Sequence, residues 1–255
     1  MKTKAIIFDI DGTAINSPKQ KLPTNRLIDA IDRLKNHYYL SAATGRVWSF
    51  SKLVLKGMHL IDPCIISAGT QICIPTTGKI LWQKNISEKS LQEVIKIFKQ
   101  YPKYKLLYND GTEDDYFYGG FYPNNFFAKE PVYFLEQVFV PNKTALEIYE
   151  KIKGINNITC VMVVAQKSGC RDLHVINSSA TKEHTINKLL KRIGVKKKNT
   201  IGIGDGYNDI HLFNAVGYKV AVGNAVPELK KISDTIVDSV ENDGMAKYLE
   251  SLMIK

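Results

Sequence analysis

The constraint that bears hardest on the fold is a rhythm of short apolar runs, each too short for a helix, alternating with amphipathic stripes. Residues 5–10, Ala-Ile-Ile-Phe-Asp-Ile, form a continuous apolar run interrupted by Asp9 and followed by turn residues. Such a run reads as a strand ending at Asp9 and buried on both faces, the habit of parallel sheets. Residues 24–35 then place Leu27, Ile28, Ile31 and Leu34 on one helical face, opened by Thr24 as a cap after Pro23. A second buried strand, Tyr38–Ala43, ends at Thr44-Gly45-Arg46, and a helix over 47–56 and a strand over 61–66 repeat the alternation. From residue 180 the same rhythm returns: helix 181–193, strand 199–204, helix 207–215, strand 218–222, helix 226–231, strand 235–237 and helix 244–253. Strand–helix alternation of this kind predicts an α/β doubly wound, Rossmann-like parallel sheet.

Between these stretches the rhythm changes. Strands at 72–74 and 80–83 flank the turn Thr76-Thr77-Gly78. A helix over 88–100 follows, then strands 104–109 and 132–139, helix 143–153 and strands 158–165 and 171–176. An α-β-β-α-β-β order implies an antiparallel sheet with helices on one face. The sequence therefore predicts a catalytic core from residues 1–82 and 175–255, interrupted by an α+β cap at 83–174 that sets substrate specificity. Within the cap, the aromatic segment 114–127 is expected to be a hairpin whose rings fill a small core, in preference to a platform for stacking a sugar or base.

Composition excludes several classes. With 255 residues, 44% of them hydrophobic and 24% charged, the chain suits a packed globular protein and no disordered or collagen-like one. No stretch approaches the roughly 20 uninterrupted apolar residues of a membrane span. The start, Met1-Lys2-Thr3-Lys4, leads into an apolar run too short for a secretory signal, so a cytoplasmic protein is expected. Cys64, Cys73, Cys160 and Cys170 form no C-x-x-C pair, so buried free thiols are expected in place of a zinc site or disulfide framework. The net charge of +10 suits an anionic small substrate. The surplus is lysine spread along the chain, with arginine only at 26, 33, 46, 171 and 192, so no nucleic-acid patch is expected. A monomer or weak dimer needs no further feature.

Ligands of open α/β sheets bind beyond the carboxyl ends of the strands. Three predicted strand ends carry polar sequences there: Asp9-Ile10-Asp11-Gly12-Thr13, Thr44-Gly45-Arg46 and Gly204-Asp205-Gly206-Tyr207-Asn208-Asp209. Lys182 opens the helix that re-enters the core. Four mutually repelling carboxylates (Asp9, Asp11, Asp205, Asp209) make sense around a hard divalent cation such as Mg²⁺, which takes carboxylates, waters and phosphate oxygens. With that cation and Lys182 present, Asp9 can approach a phosphate dianion as a nucleophile while Asp11 feeds a proton to the leaving group. Thr44 offers a hydroxyl to a phosphoryl oxygen. Arg46 either binds substrate or covers the following helix. The glycines at 202, 204 and 206 lack the full G-x-G-x-x-G spacing, so no dinucleotide is expected. His174 and His184 read as packing or surface residues, not ligands.

These four ordered motifs resemble those of the haloacid dehalogenase superfamily of phosphohydrolases, in particular its Cof-type and sucrose-phosphatase-like group, whose cap lies between the second and third motifs. Gly223-Asn224-Ala225-Val226-Pro227-Glu228-Leu229-Lys230 and Glu241-Asn242-Asp243-Gly244 resemble that group's C-terminal pattern. The resemblance implies Asp9 as a nucleophile that forms an aspartyl-phosphate and Asp11 as acid, then base. It implies Thr44, Lys182 and Asn208 as phosphate contacts. Mg²⁺ would be held by Asp9, the Asp11 carbonyl and Asp205, with Asp209 supporting its waters. Two departures stand out: Ser67-Ala68-Gly69 replaces a frequent Asn-Gly-Ala, and Glu183-His184 follows Lys182 where glycine is common. The expected activity is Mg²⁺-dependent hydrolysis of a small phosphorylated metabolite, a sugar phosphate foremost. The alternatives are a phosphomutase of the phosphomannomutase type and a basic nucleic-acid- or protein-binding protein with a vestigial site.

Overall fold

The computed structural model describes residues 2–17, 20–111, 117–118 and 130–253. The chain divides into two compact units, Met1–Trp82 with Lys182–Lys255, and Gln83–Thr181.

The first unit is built on a five-stranded sheet in which β1 (Lys4–Phe8) lies between β2 (Tyr38–Ala42) and β11 (Thr200–Gly204), followed outward by β12 (Tyr218–Ala221) and β13 (Thr235–Ile236). Every pairing is parallel. Phe8, Ile6, Ile7 and Leu40 are fully buried in one apolar cluster, as continuous apolar strands require. Flanking helices pair α1 (Asn25–Leu34) with α8 (Gly244–Ser251), and α5 (Lys182–Ile193) with α6 (Asp209–Ala215). The Thr24 hydroxyl caps α1 by accepting from Leu27 N at 3.2 Å, worth about 1 kcal/mol. It also donates to Asp243 at 2.7 Å, fastening the start of α1 to the residue that precedes α8.

Two local expectations change. The first strand, expected to end at Asp9, ends at Phe8, although Asp9 N still donates to Ile203 O at 3.0 Å. The strand expected at 61–66 is only β3 (Cys64–Ile66), and it leaves the parallel sheet. It pairs antiparallel with β4 (Gln71–Cys73), which pairs with β5 (Ile80–Gln83), while one bridge, Ala43 to Ile65, joins it to the end of β2. Its connection to β4 is a single 3-10 turn, Ser67–Gly69, and parallel strands need a far longer crossover.

The second unit is an antiparallel sheet ordered β7 (Phe117–Tyr118), β6 (Lys105–Tyr108), β8 (Leu135–Pro141), β10 (Cys170–Asn177) and β9 (Ile158–Val164). With α3 (Glu88–Phe98) and α4 (Asn142–Ile152) it encloses a separate apolar core containing Leu91, Phe98, Leu106, Ile148 and Leu173. β10 stays paired with β9 through Asn177, past the return to the core expected at 175. Apart from the paired backbone of Phe117–Tyr118, the aromatic segment 114–127 lies outside the described residues. All four cysteines are free and buried. No helix among the described residues is long and apolar enough to cross a membrane.

Candidate active site

The carboxyl ends of β1, β2 and β11, neighbours in the sheet, bring the predicted residues together within the first unit. Asp9 follows β1 and is 5% exposed, Thr44 follows β2 and is fully buried, and Asp205 follows β11. Asp209 opens α6 and Lys182 opens α5, both almost wholly enclosed.

Lys182 is the electrostatic pivot. Its Nζ lies 2.8 Å from Asp9 Oδ1 and 2.7 Å from Asp209 Oδ1. Burial alone would drive its proton off, but Asp209 and Asp9 outweigh that and hold its pKa above the ordinary lysine range. The other oxygen of Asp209 accepts from the backbone N–H groups of Asp205 and Gly206, both at 3.0 Å, so this carboxylate is satisfied on both sides. Asp205 accepts from the Thr13 hydroxyl at 2.8 Å.

Burial raises the Asp9 pKa well above the carboxylate range, against the pull of Lys182 and with the push of Asp209, Asp205 and Asp11. Asp205 is pushed up to about 7, chiefly by burial and then by Asp209. One ammonium thus faces more negative charge than it neutralises. Oxygens of Asp9, Asp205 and Asp209 lie within 4.8 Å of one another. Three hard oxygen donors at that spacing, short of positive charge, fit a divalent cation.

Two glycines permit this crowding. Gly12 has φ +81°, and a Cβ there would sit 2.3 Å from Asp205 Oδ2. A Cβ on Gly204 would meet the Cβ of Asp209 at 2.6 Å. Any larger residue at either place would displace a site carboxylate.

Three other predicted residues are placed differently. The Asp11 side chain does not join the carboxylate cluster. Instead Arg46 grips it, Nε to Oδ2 at 2.8 Å and Nη2 to Oδ1 at 2.5 Å. Thr44 Oγ1 accepts from Arg46 N at 3.1 Å, and Thr44 O accepts from Ala68 N at 3.2 Å. Asn208, half-buried before α6, folds its amide oxygen over Gly206, whose Cβ would lie 2.5 Å away. Thr13 and Asn224 are supports that the motif reading did not single out. Asn224 Nδ2 donates to Gly12 O at 2.8 Å, bracing the turn between Asp11 and Thr13, and both asparagine and threonine stand inside the quoted motifs.

Residues 6–249 match the haloacid dehalogenase-like hydrolase family. The chain belongs to that family. A phosphoglycolate phosphatase of Sulfurisphaera tokodaii is 33% identical over 248 residues, covering 97% of this chain and 93% of that one. Phosphoglycolate phosphatase 1 of Saccharolobus solfataricus is 40% identical over 115 residues, covering 45% and 47%. A solved subclass IIB sugar phosphatase of the same superfamily shares the fold, with TM-score 0.74 and 21% identity over 99% of this chain and 100% of that one. This haloacid dehalogenase-like chain is a phosphoric monoester hydrolase.

Proposed function

We propose that the protein hydrolyses a small phosphorylated metabolite with Mg²⁺ through an aspartyl-phosphate on Asp9. The observation that carries this reading is a buried carboxylate at a strand tip, held 2.8 Å from the Lys182 ammonium and among two further carboxylates. An enclosed nucleophile at that spot meets substrate only where Lys182 can offset the charge of the phosphate.

In the first half-reaction an Asp9 oxygen forms a bond to phosphorus, the bond from phosphorus to the leaving oxygen breaks, and Asp11 gives its proton to that oxygen. In the second, Asp11 takes a proton from water as the water oxygen attacks phosphorus. The bond to Asp9 breaks, and phosphate leaves. Lys182 stays on Asp9 throughout, while Thr44 and Asn208 hold phosphoryl oxygens. Asp9, Asp205 and the Asp11 carbonyl would hold Mg²⁺, with Asp209 behind them, and the cation supplies charge against the phosphate dianion when bound. The names of the similar proteins point to phosphoglycolate and sugar phosphates as substrates to try first. The unit Gln83–Thr181 would act as the cap that selects among them.

Phosphate release from sugar phosphates, nucleotides and 2-phosphoglycolate, with Mg²⁺ and with EDTA, tests the reading. Turnover should require the metal. It should fall at least about 10³-fold in Asp9→Asn, a shape-conserving change that removes the nucleophile. Near-normal turnover in that variant would sink the mechanism. A requirement for a sugar bisphosphate activator would make the protein a mutase.

A further inference from the structure

The amino ends of the parallel strands form the edge of the first unit opposite the Lys182 cluster. β1 begins at Lys4 and β2 at Tyr38, and the length of β1 separates that edge from Asp9 by about 16 Å. A cavity of about 500 Å³ opens there, a volume within the range of small-molecule sites. Its lining is of two kinds. Leu34, buried at the end of α1, joins half-buried Tyr38 and Met253 in an apolar floor, while Lys4, Arg33 and His37 stand exposed. Lys4 Nζ lies 5.9 Å from the centre of the Tyr38 ring, so charge and apolar surface meet at one place.

Among the described residues no acid lines this cavity, and no ion pair engages Lys4 or Arg33. Glu250, two residues before Leu252 in the wall, gives both its oxygens to Arg26 at 2.8 and 2.6 Å. Two cations without a counter-charge, set beside an apolar floor, suit a ligand that carries both characters. The guanidinium fork and the ammonium take a planar carboxylate, and the floor takes hydrocarbon out of water. An inorganic anion would leave the floor wet, and a neutral apolar molecule would leave the cations unused. We propose that this cavity binds a small amphipathic carboxylate, separately from the phosphate site at the other end of β1.

The test is a binding titration of the full chain with octanoate, which holds no phosphate ester, beside acetate (the head alone) and 1-octanol (the body alone). Octanoate should bind saturably at one site per chain, and acetate and 1-octanol at least about tenfold more weakly. Arg33→Gln should weaken octanoate about 10- to 100-fold, the scale of a lost charge-assisted hydrogen bond. Met253→Asp, which sets a like charge in the floor, should weaken it at least as much. Lys4→Gln, at an exposed strand start, should cost about fivefold, and it serves if the arginine variant does not fold. Full octanoate affinity in both cation variants would put the binding elsewhere and overturn the proposal. Acetate bound as tightly as octanoate would reduce the site to surface charge and overturn it as well. Failure of octanoate to bind would overturn it too, and sedimentation of the protein with phosphatidylglycerol vesicles in that case would make the patch a membrane contact.

Discussion

Lys182, Asp9 and Asp209 of the first unit and Gln137 of the second are enclosed to much the same degree, and their surroundings could hardly differ more. The three charged groups are locked to one another, and Asp209 is closed off by two backbone donors besides. Gln137 is fully buried, and among the described residues neither its amide nitrogen nor its amide oxygen has a partner. Its cross-strand neighbours, Leu106 and Leu173, belong to the apolar core of the second unit, so the amide projects into hydrocarbon. An unpaired buried polar group costs about 1–3 kcal/mol, and a buried charge stripped of its partner costs more. The contrast teaches where polar burial serves chemistry. In the first unit it gathers three carboxylate oxygens that could hold a metal ion around one ammonium, and in the second it leaves an amide without a partner among the described residues.

Removing the ammonium should break the first arrangement most visibly. Lys182→Met leaves Asp9 and Asp209 enclosed without a counter-charge. It should lower stability by about 3–5 kcal/mol in urea unfolding, with activity lost. Adding Asp209→Asn should recover part of that stability, because the amide oxygen can still accept from the Asp205 and Gly206 N–H groups. A double variant no more stable than the single one would mean that the penalty is lost packing and not orphaned charge.

Gln137→Leu should act in the opposite direction, raising the stability of the second unit by about 1–2 kcal/mol, since an apolar side chain of similar volume replaces an unsatisfied amide. Urea unfolding followed by a probe within residues 83–181 reads this. A lowered midpoint would show that the amide holds a partner in solution, and the contrast between the units would dissolve.

The two residues also differ in how far their surroundings could be anticipated. Asp9, Thr44, Asp205 and Asp209 were legible because a buried parallel strand is apolar along its length, so a polar residue at its tip stands out. Lys182 was legible because a lysine opening a helix after a long insertion has no packing role. The grip of Arg46 on Asp11 was not, since side chains 35 residues apart choose partners by tertiary placement. Nor was the departure of β3 from the parallel sheet, which depends on a three-residue turn holding Ser67 and Ala68 at φ +53° and +56°. Such positions are uncommon for residues other than glycine, and apolar periodicity carries no trace of them. Nothing in the sequence singles out Gln137, and the register shift beside it, between Arg171 and Leu173, is set by strand pairing that apolar periodicity does not report.

That same irregularity yields the smallest effect and sharpens the comparison on the side of titration. Phe139, at φ +55°, donates its N–H to Asp172 Oδ1 at 2.7 Å, which ties the bulge down. Burial pushes the Asp172 carboxyl up to about 6, the Phe139 N–H pulls it down, and nearby Glu136 and His174 push and pull in turn. With the folded pKa above the unfolded one, the native state binds more protons between about pH 4 and 6. This group's contribution to stability is therefore greatest below that window and is lost as pH rises through it. Asp172→Asn keeps an oxygen for the Phe139 N–H and carries no charge, so it escapes the loss. The melting temperature of the variant relative to wild type should climb by roughly 2–4 °C from pH 4 to pH 6.5 and stay level above. A difference that stays flat across that window would mean that the carboxylate is solvated when charged. Among the described residues of the second unit, the costly polar burial would then be that of the Gln137 amide and not of the Asp172 carboxylate.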